Sequence, residues 1–384
     1  MTVWNEFLRT RMADTIAADN ERVLTPMARD GLYVEVAGQR LLNLAGNDYL
    51  ALGARCDWQQ DFGQHLAAQD AYWSSSSSQL LTGHAPSHQQ VEQTLARLFG
   101  REAALTFASG YQMNFGLLQA LADNKTLILA DKLAHASMVD GLLIGSAKFL
   151  RYRHNDMAHL HALLCQHHSA HERILIVTES IFSMDGDVAD LRQLVAFKRE
   201  FPHIALYVDE AHAIGVRGAN GLGCAEEQAC LADIDFLVGT FGKALHSVGG
   251  YVLCSALARQ YLINHMRPLI FSTGLPPINM AWTNYVLQHL ADLQAARTHL
   301  QHLSQRLIEH IHTHIGECVS QSHIVPVLCG SNSAALARAQ ALRQHGMLVM
   351  AVRPPTVPKN QARLRISLNA GLSFEQLQYL MACL

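Results

Sequence analysis

The 384-residue sequence predicts an α/β fold: a mostly parallel, doubly wound sheet in a large domain, then a smaller α+β domain. Three observations carry that prediction. Short apolar runs alternate with helical periods from residue 46 to about residue 275. Those runs are apolar on both faces, as strands covered by helices on either side must be. Beyond residue 320 three further strand-like runs follow a long helical stretch, which marks a second unit of different architecture.

Residues 1–30 read as an amphipathic helix entering a loop at Thr25-Pro26, and Leu41-Leu-Asn-Leu44 as a short strand. The strand candidates of the large domain are Ala103–Phe107, Thr126–Ala130, Lys148–Tyr152, Ile174–Thr178, Ala205–Val208, Phe236–Gly239 and Tyr251–Cys254. Each is bounded by turn residues and separated from the next by a helical period. Residues 276–320 are mostly helical, with Met280–His314 as one long or kinked segment. His323–Leu328, Leu348–Val352 and Ala362–Leu368 then read as strands, with a helix between the first two. The expected organisation is an N-terminal arm (1–45), a large cofactor-binding domain (46–275) and a small domain (276–384).

Composition narrows the function. Hydrophobic residues make up 49% and charged residues only 16% of the chain, below the usual quarter, so part of the surface is expected to be buried against a second copy. A net charge of −3 argues against nucleic acid or an anionic membrane as the main partner. Eight scattered cysteines with no Cys-x-x-Cys pair suit a reducing cytosol. No run of 18 apolar residues and no secretory core occur, so a cytoplasmic protein is expected. Among the 22 histidines, His167-His168-x-x-His171 and His310-x-His312-x-His314 lack a completing carboxylate or cysteine at ligand spacing, so no metal is expected. Gly218-Ala-Asn-Gly-Leu-Gly223 lacks the dinucleotide spacing and reads as a tight loop.

Ligands of open parallel sheets sit beyond the carboxyl ends of the strands. The polar residues gather there: Ser109-Gly110-Tyr111, Asp131 to His135, Glu179 and Ser183, Asp209 and His212, Thr240 and Lys243. Lys243 is the telling one. It is one of six lysines, and an apolar strand and a small-residue turn deliver it with no acidic neighbour in sequence. Such surroundings lower an amine's pKa, as covalent amine chemistry requires. The set fits pyridoxal phosphate: Lys243 for its aldehyde, Asp209 for its ring nitrogen, His135 as an aromatic lid, and the Ser109-Gly110-Tyr111 turn for its phosphate. His212 and Ser183 can hold its phenolic oxygen or a substrate carboxylate.

The motifs Asn47-Asp-Tyr-Leu50, Thr106-Phe-Ala-Ser-Gly-Tyr111, Asp131-Lys-Leu-Ala-His-Ala-Ser137 and Thr178-Glu-Ser-Ile-Phe-Ser-Met-Asp-Gly-Asp187 resemble those of the α-oxoamine synthases. So do Val208-Asp-Glu-Ala-His212, Thr240-Phe-Gly-Lys243, Phe271-Ser-Thr273 and Arg353-Pro-Pro-Thr-Val-Pro358. The resemblance, from about Asn43 onward, implies the aspartate-aminotransferase-like fold, a homodimer with shared active sites, and decarboxylative condensation of an amino acid with an acyl thioester. It is greatest to members that join L-alanine to a pimeloyl thioester in biotin synthesis; sister members use glycine or serine. The resemblance makes Lys243 the cofactor-linked lysine and proton-transfer base, Asp209 the partner of the ring nitrogen, His212 that of the phenolic oxygen, and His135 the stacked ring. It places Gly110, Tyr111 and Thr240 at the cofactor or its phosphate, Ser272 and Thr273 there from the partner subunit, and Arg22 and Thr356 at the substrate.

Two features depart from that pattern. Ser74–Ser78 replaces a glycine-rich segment, so its backbone must use ordinary angles or be strained. His246 stands where glycine is common, as a bystander or as a perturber of Lys243.

Overall fold

The computed structural model describes residues 2–384, which cluster into two compact units. The larger holds residues 55–183 and 187–298; the smaller holds 2–54, 184–186 and 299–384.

The larger unit is built on seven strands: β1 (Ala103–Phe107), β2 (Thr126–Asp131), β3 (Lys148–Tyr152), β4 (Arg173–Glu179), β5 (Ile204–Asp209), β6 (Phe236–Thr240) and β7 (Gly250–Cys254). These are the seven expected runs, within one residue at either end. Their order is β1-β7-β6-β5-β4-β2-β3. Only β7 runs antiparallel to its neighbours β1 and β6. Central strands are buried along their length, and Ile174 to Val177 are each at most 4% exposed. The edge strand β3 exposes Lys148 and Arg151, charges that discourage further pairing. On one face, α1 (Gly110–Ala120) and α2 (Ala136–Ile144) supply Met113, Leu117, Met138 and Leu142 to a core shared with Leu105, Ile128, Val177 and Val252.

The start of α1 is fixed by sequence. The Ser109 side chain accepts the Gln112 N–H, capping the helix. Gly250 lets the helix approach β7, because a Cβ there would lie 2.9 Å from Gly110 Cα.

The smaller unit has two sheets. Ala28–Asp30, Tyr33–Val36, Gln39–Asn43 and Met347–Leu348 form one; Ile324–Gly330, Ala362–Ser367 and Met350–Val352 form the other. The run expected as one strand over 348–352 therefore divides between two sheets. The N-terminal helix is shorter than expected, Val3–Ala17, and buries none of its residues. The long helical stretch is broken into Pro277–Gln288, a 3-10 turn at Leu290–Leu293, and Gln294–His314. Among the described residues, no helix is long and apolar enough to cross a membrane.

The serine run is strained at one residue. Ser76 has φ +48° in the left-handed region, and Ser74 Oγ accepts its N–H at 2.9 Å. Ser75 Oγ donates to the Leu275 carbonyl at 2.6 Å, and Ser77 O accepts the Gly274 N–H at 2.9 Å. His246 also sits at φ +48°, a conformation that accounts for the expected glycine without invoking the lysine. Left-handed backbone costs a non-glycine residue about 1–2 kcal/mol, partly offset by glycine's larger entropy loss on folding. Ser76→Gly is therefore expected to stabilise the protein by about 0.5–1 kcal/mol, read as a higher thermal midpoint.

A charged clamp joins β2 to the segment after β4. His154 Nδ1 bonds Asp131 Oδ1 at 2.9 Å and its Nε2 bonds Asp187 Oδ2 at 2.8 Å. Burial alone would lower the ring's pKa, but the two carboxylate hydrogen bonds override it and push it up to about 10. An unfolded histidine titrates near ~6.5. The clamp's stabilisation is thus complete below about pH 6.5 and drains away as pH rises toward about 10. His154→Ala should cost about 2–4 kcal/mol near neutral pH, since it removes the cation between two carboxylates and leaves them only N–H donors from Leu133 and Asn155. The difference from wild type in thermal midpoint should shrink steadily as pH is raised through that window.

Candidate active site

Because β1, β2, β4, β5 and β6 are mutually parallel, Phe107, Asp131, Glu179, Asp209 and Thr240 end at one edge of the sheet. The residues that follow them form the site, all within the larger unit.

Lys243 lies three residues past β6, with Nζ 2.8 Å from His212 Nε2. The expectation of an amine in apolar surroundings away from carboxylates is corrected here. The Lys243 charge acts on both Glu179 and His135. Sequence neighbours do not report this, because the acidic groups arrive from other strands.

Asp209 closes β5 and is 5% exposed. Its Oδ2 accepts Asn114 Nδ2 at 2.8 Å and its Oδ1 accepts the Ala211 N–H at 2.8 Å. Asn114, on α1, also donates to Ser137 Oγ at 3.0 Å, while Tyr207 OH donates to its amide oxygen. His212, three residues beyond Asp209, is equally buried.

His135 caps α2, its Nδ1 accepting the Ser137 N–H at 3.2 Å and lying 2.7 Å from Ser137 Oγ. An accepting Nδ1 leaves the ring proton on Nε2 of a neutral imidazole. Burial lowers the ring's pKa in agreement, helped by Lys243 and opposed by Asp209.

Gly110 and Tyr111 open α1, and the N-terminus of a helix favours an anion. Thr240 is alongside: a Cβ on Gly110 would lie 3.5 Å from its Oγ1. That hydroxyl donates to the Gly249 carbonyl at 2.8 Å and accepts the Gly242 N–H at 3.1 Å. The Tyr111 hydroxyl donates to Asp140 and stays half exposed. Ser183 is in the turn after β4.

Ser272 lines a surface cavity with Tyr111 and Gln112. Thr273 forms a β-bridge with Ser78, so it and Ser272 belong to the segment that packs on the serine run. Arg22 and Thr356 are in the smaller unit, where Arg22 Nη2 donates to Thr356 Oγ1 at 3.4 Å. Sequence reasoning missed Asn114 and Asp140. Asn114 is a polar residue inside an otherwise apolar helix, a signal that was present but unspecific.

The donors and acceptors present fit pyridoxal phosphate. A buried, solvated carboxylate, an amine against an imidazole, a neutral ring at a helix start and a helix N-terminus beside a threonine hydroxyl meet its four polar demands.

Comparison with known proteins agrees. Residues 39–384 match the model of the aminotransferase class I and II family. The chain is 49% identical to the 8-amino-7-oxononanoate synthase of Haemophilus ducreyi, over 98% of this chain and all of that one. Among solved structures, Sphingomonas wittichii serine palmitoyltransferase superposes with a TM-score of 0.90 at 29% identity, covering 100% of this chain and 97% of that one. A serine palmitoyltransferase structure with PLP superposes with a TM-score of 0.89 at 28% identity, with the same coverage. The chain belongs to the aminotransferase class I and II family. It is an enzyme, and its cofactor is pyridoxal 5′-phosphate.

A hydrogen bond to a charged group is worth about 1.5–3 kcal/mol, and ~1.4 kcal/mol is tenfold in affinity. Asn114→Ala should therefore weaken cofactor binding at least about tenfold in equilibrium titration, through the donor lost from Asp209.

Proposed function

We propose that the enzyme condenses L-alanine with a pimeloyl thioester, releasing CO2 and free thiol and giving 8-amino-7-oxononanoate for biotin synthesis. The observation that carries this reading is the near-full-length 49% identity to a synthase of that name. The Lys243–His212–Asp209 arrangement supports it, because it supplies the groups such chemistry needs.

Each residue then has a task. Lys243 Nζ would hold the cofactor through its aldehyde carbon, and as a free amine it would take a proton from the substrate α-carbon and later return one to the same carbon. Asp209 would pair with the ring nitrogen and keep it protonated, and His212 would hold the phenolic oxygen, with Ser183 beside it. When bound, the cofactor draws electron density from the substrate α-carbon. That carbon bonds the acyl carbon as the C–S bond breaks, and its carboxylate leaves as CO2. The neutral His135 covers the ring face, and Gly110, Tyr111 and Thr240 hold the phosphate. Substrate contact is assigned to Arg22 and Thr356.

The enzyme works as a homodimer in this reading, with Ser272 and Thr273 of one protomer reaching the cofactor of its partner. The exposed Tyr72, Trp73, Leu81 and Phe271, near the same segment, are apolar surface for a second copy to cover.

A sister reaction of glycine or serine with another acyl-CoA is the second reading, favoured by the overlap with serine palmitoyltransferase. Thiol release from pimeloyl-CoA, pimeloyl carrier protein and palmitoyl-CoA, each with alanine, glycine or serine, separates the two. Alanine with a pimeloyl thioester should turn over fastest; preference for serine or glycine would replace the first reading with the second. Lys243→Ala should lower the rate by at least about 1,000-fold, with the absorbance of the lysine-bound cofactor gone.

A further inference from the structure

Glu179 stands in the site without a task. It ends β4 directly opposite Asp209 on β5, so the two carboxyl groups leave the sheet on the same side. Glu179 is 3% and Asp209 5% exposed. Their hydrogen bonding is unequal. Asp209 has a donor on each oxygen, from Asn114 and Ala211. The His135 N–H at the start of α2 acts on the Glu179 carboxyl, but Glu179 Oε1 is buried with no hydrogen-bond partner among the described residues. An anionic oxygen left bare at that depth carries a desolvation cost of several kcal/mol, whereas a neutral acid places its proton there. Two adjoining carboxyl groups then share one charge, and it rests where the donors are.

The charges around Glu179 act in both directions. Burial, then Asp209 on β5 and Asp131 at the end of β2, push its carboxyl well above the usual range; Lys243 past β6 and the His135 N–H at the start of α2 pull it down.

We propose that Glu179 is a neutral carboxylic acid and a positioning residue, which anchors the backbone of His135 and leaves Asp209 ionised to face the cofactor's ring nitrogen. The inference rests on the roles given above to Asp209, His135 and Lys243. It assigns β4 a part in the reaction that touches neither substrate nor cofactor. The proton on Glu179 stays in place through turnover.

The test compares Glu179→Gln and Glu179→Ala, each loaded with pyridoxal phosphate, by cofactor dissociation constant and by pH titration of the lysine-bound cofactor's absorbance. Glutamine keeps an acceptor for the His135 N–H and carries no charge. E179Q should hold the titration midpoint within about 0.3 pH unit of wild type and cofactor affinity within about twofold. E179A should lose about tenfold in affinity, so that the conservative variant rescues what alanine removes. A midpoint lowered by about one unit or more in E179Q would mean that a negative charge had been removed beside Lys243, and would overturn the proposal.

Should E179Q fail to fold, infrared spectra of the wild-type and E179A apoproteins above neutral pH decide. A protonated-carboxyl band present in wild type and missing from E179A is expected; a band absent from wild type, or unchanged in E179A, overturns the proposal. Failure of the underlying site reading is distinguishable, because wild type itself would then show no lysine-bound cofactor absorbance to titrate.

Discussion

Asp209 is a carboxylate buried at the end of a central parallel strand, and its solvation by protein is the condition that organises the site. Removing such a group from water costs several kcal/mol unless donors replace the water. Here the replacement comes from two directions, the Ala211 N–H and the Asn114 amide. Asn114 can serve because Tyr207 occupies its amide oxygen and so turns its NH2 toward Asp209. The same NH2 reaches Ser137, whose hydroxyl meets His135 Nδ1. One hydrogen-bond chain therefore runs from β5 through α1 to α2. Asp209 and His135 are members of a single network.

The opposite end of the site is set by packing. Glycine at 250 brings the first turn of α1 against β7, and Gly110 brings it against Thr240. The helix N-terminus is thereby placed beside a hydroxyl whose own bonds fix its orientation. A helix N-terminus so placed favours an anion.

Much of this was legible in the chain. The central strands of the large sheet were readable because a strand buried on both faces must be apolar throughout, as Ile174–Val177 is. Strand direction was not readable: β7 has the same apolar signature as its parallel neighbours yet runs against them. The residues with chemistry of their own, Lys243, Asp209, His212 and His135, could be found because strand ends are where such groups gather. Their supports could not. Asn114 looks like an ordinary helix amide until the fold brings it to Asp209, and Glu179, though visible at a strand end, gains its meaning only from the register that sets it opposite Asp209. The serine run was flagged by its lack of glycine, but only the folded backbone locates the strain at Ser76. Leu348–Val352 misled because periodicity does not reveal which of two sheets a strand joins.

The account stands on Lys243 being the amine that bonds the cofactor. Borohydride reduction of the pyridoxal-phosphate-loaded protein, followed by peptide mass spectrometry, tests this most directly. The phosphopyridoxyl mass is expected on the peptide containing Lys243 and on none of the other five lysines. Label on another lysine, or on none, would contradict it.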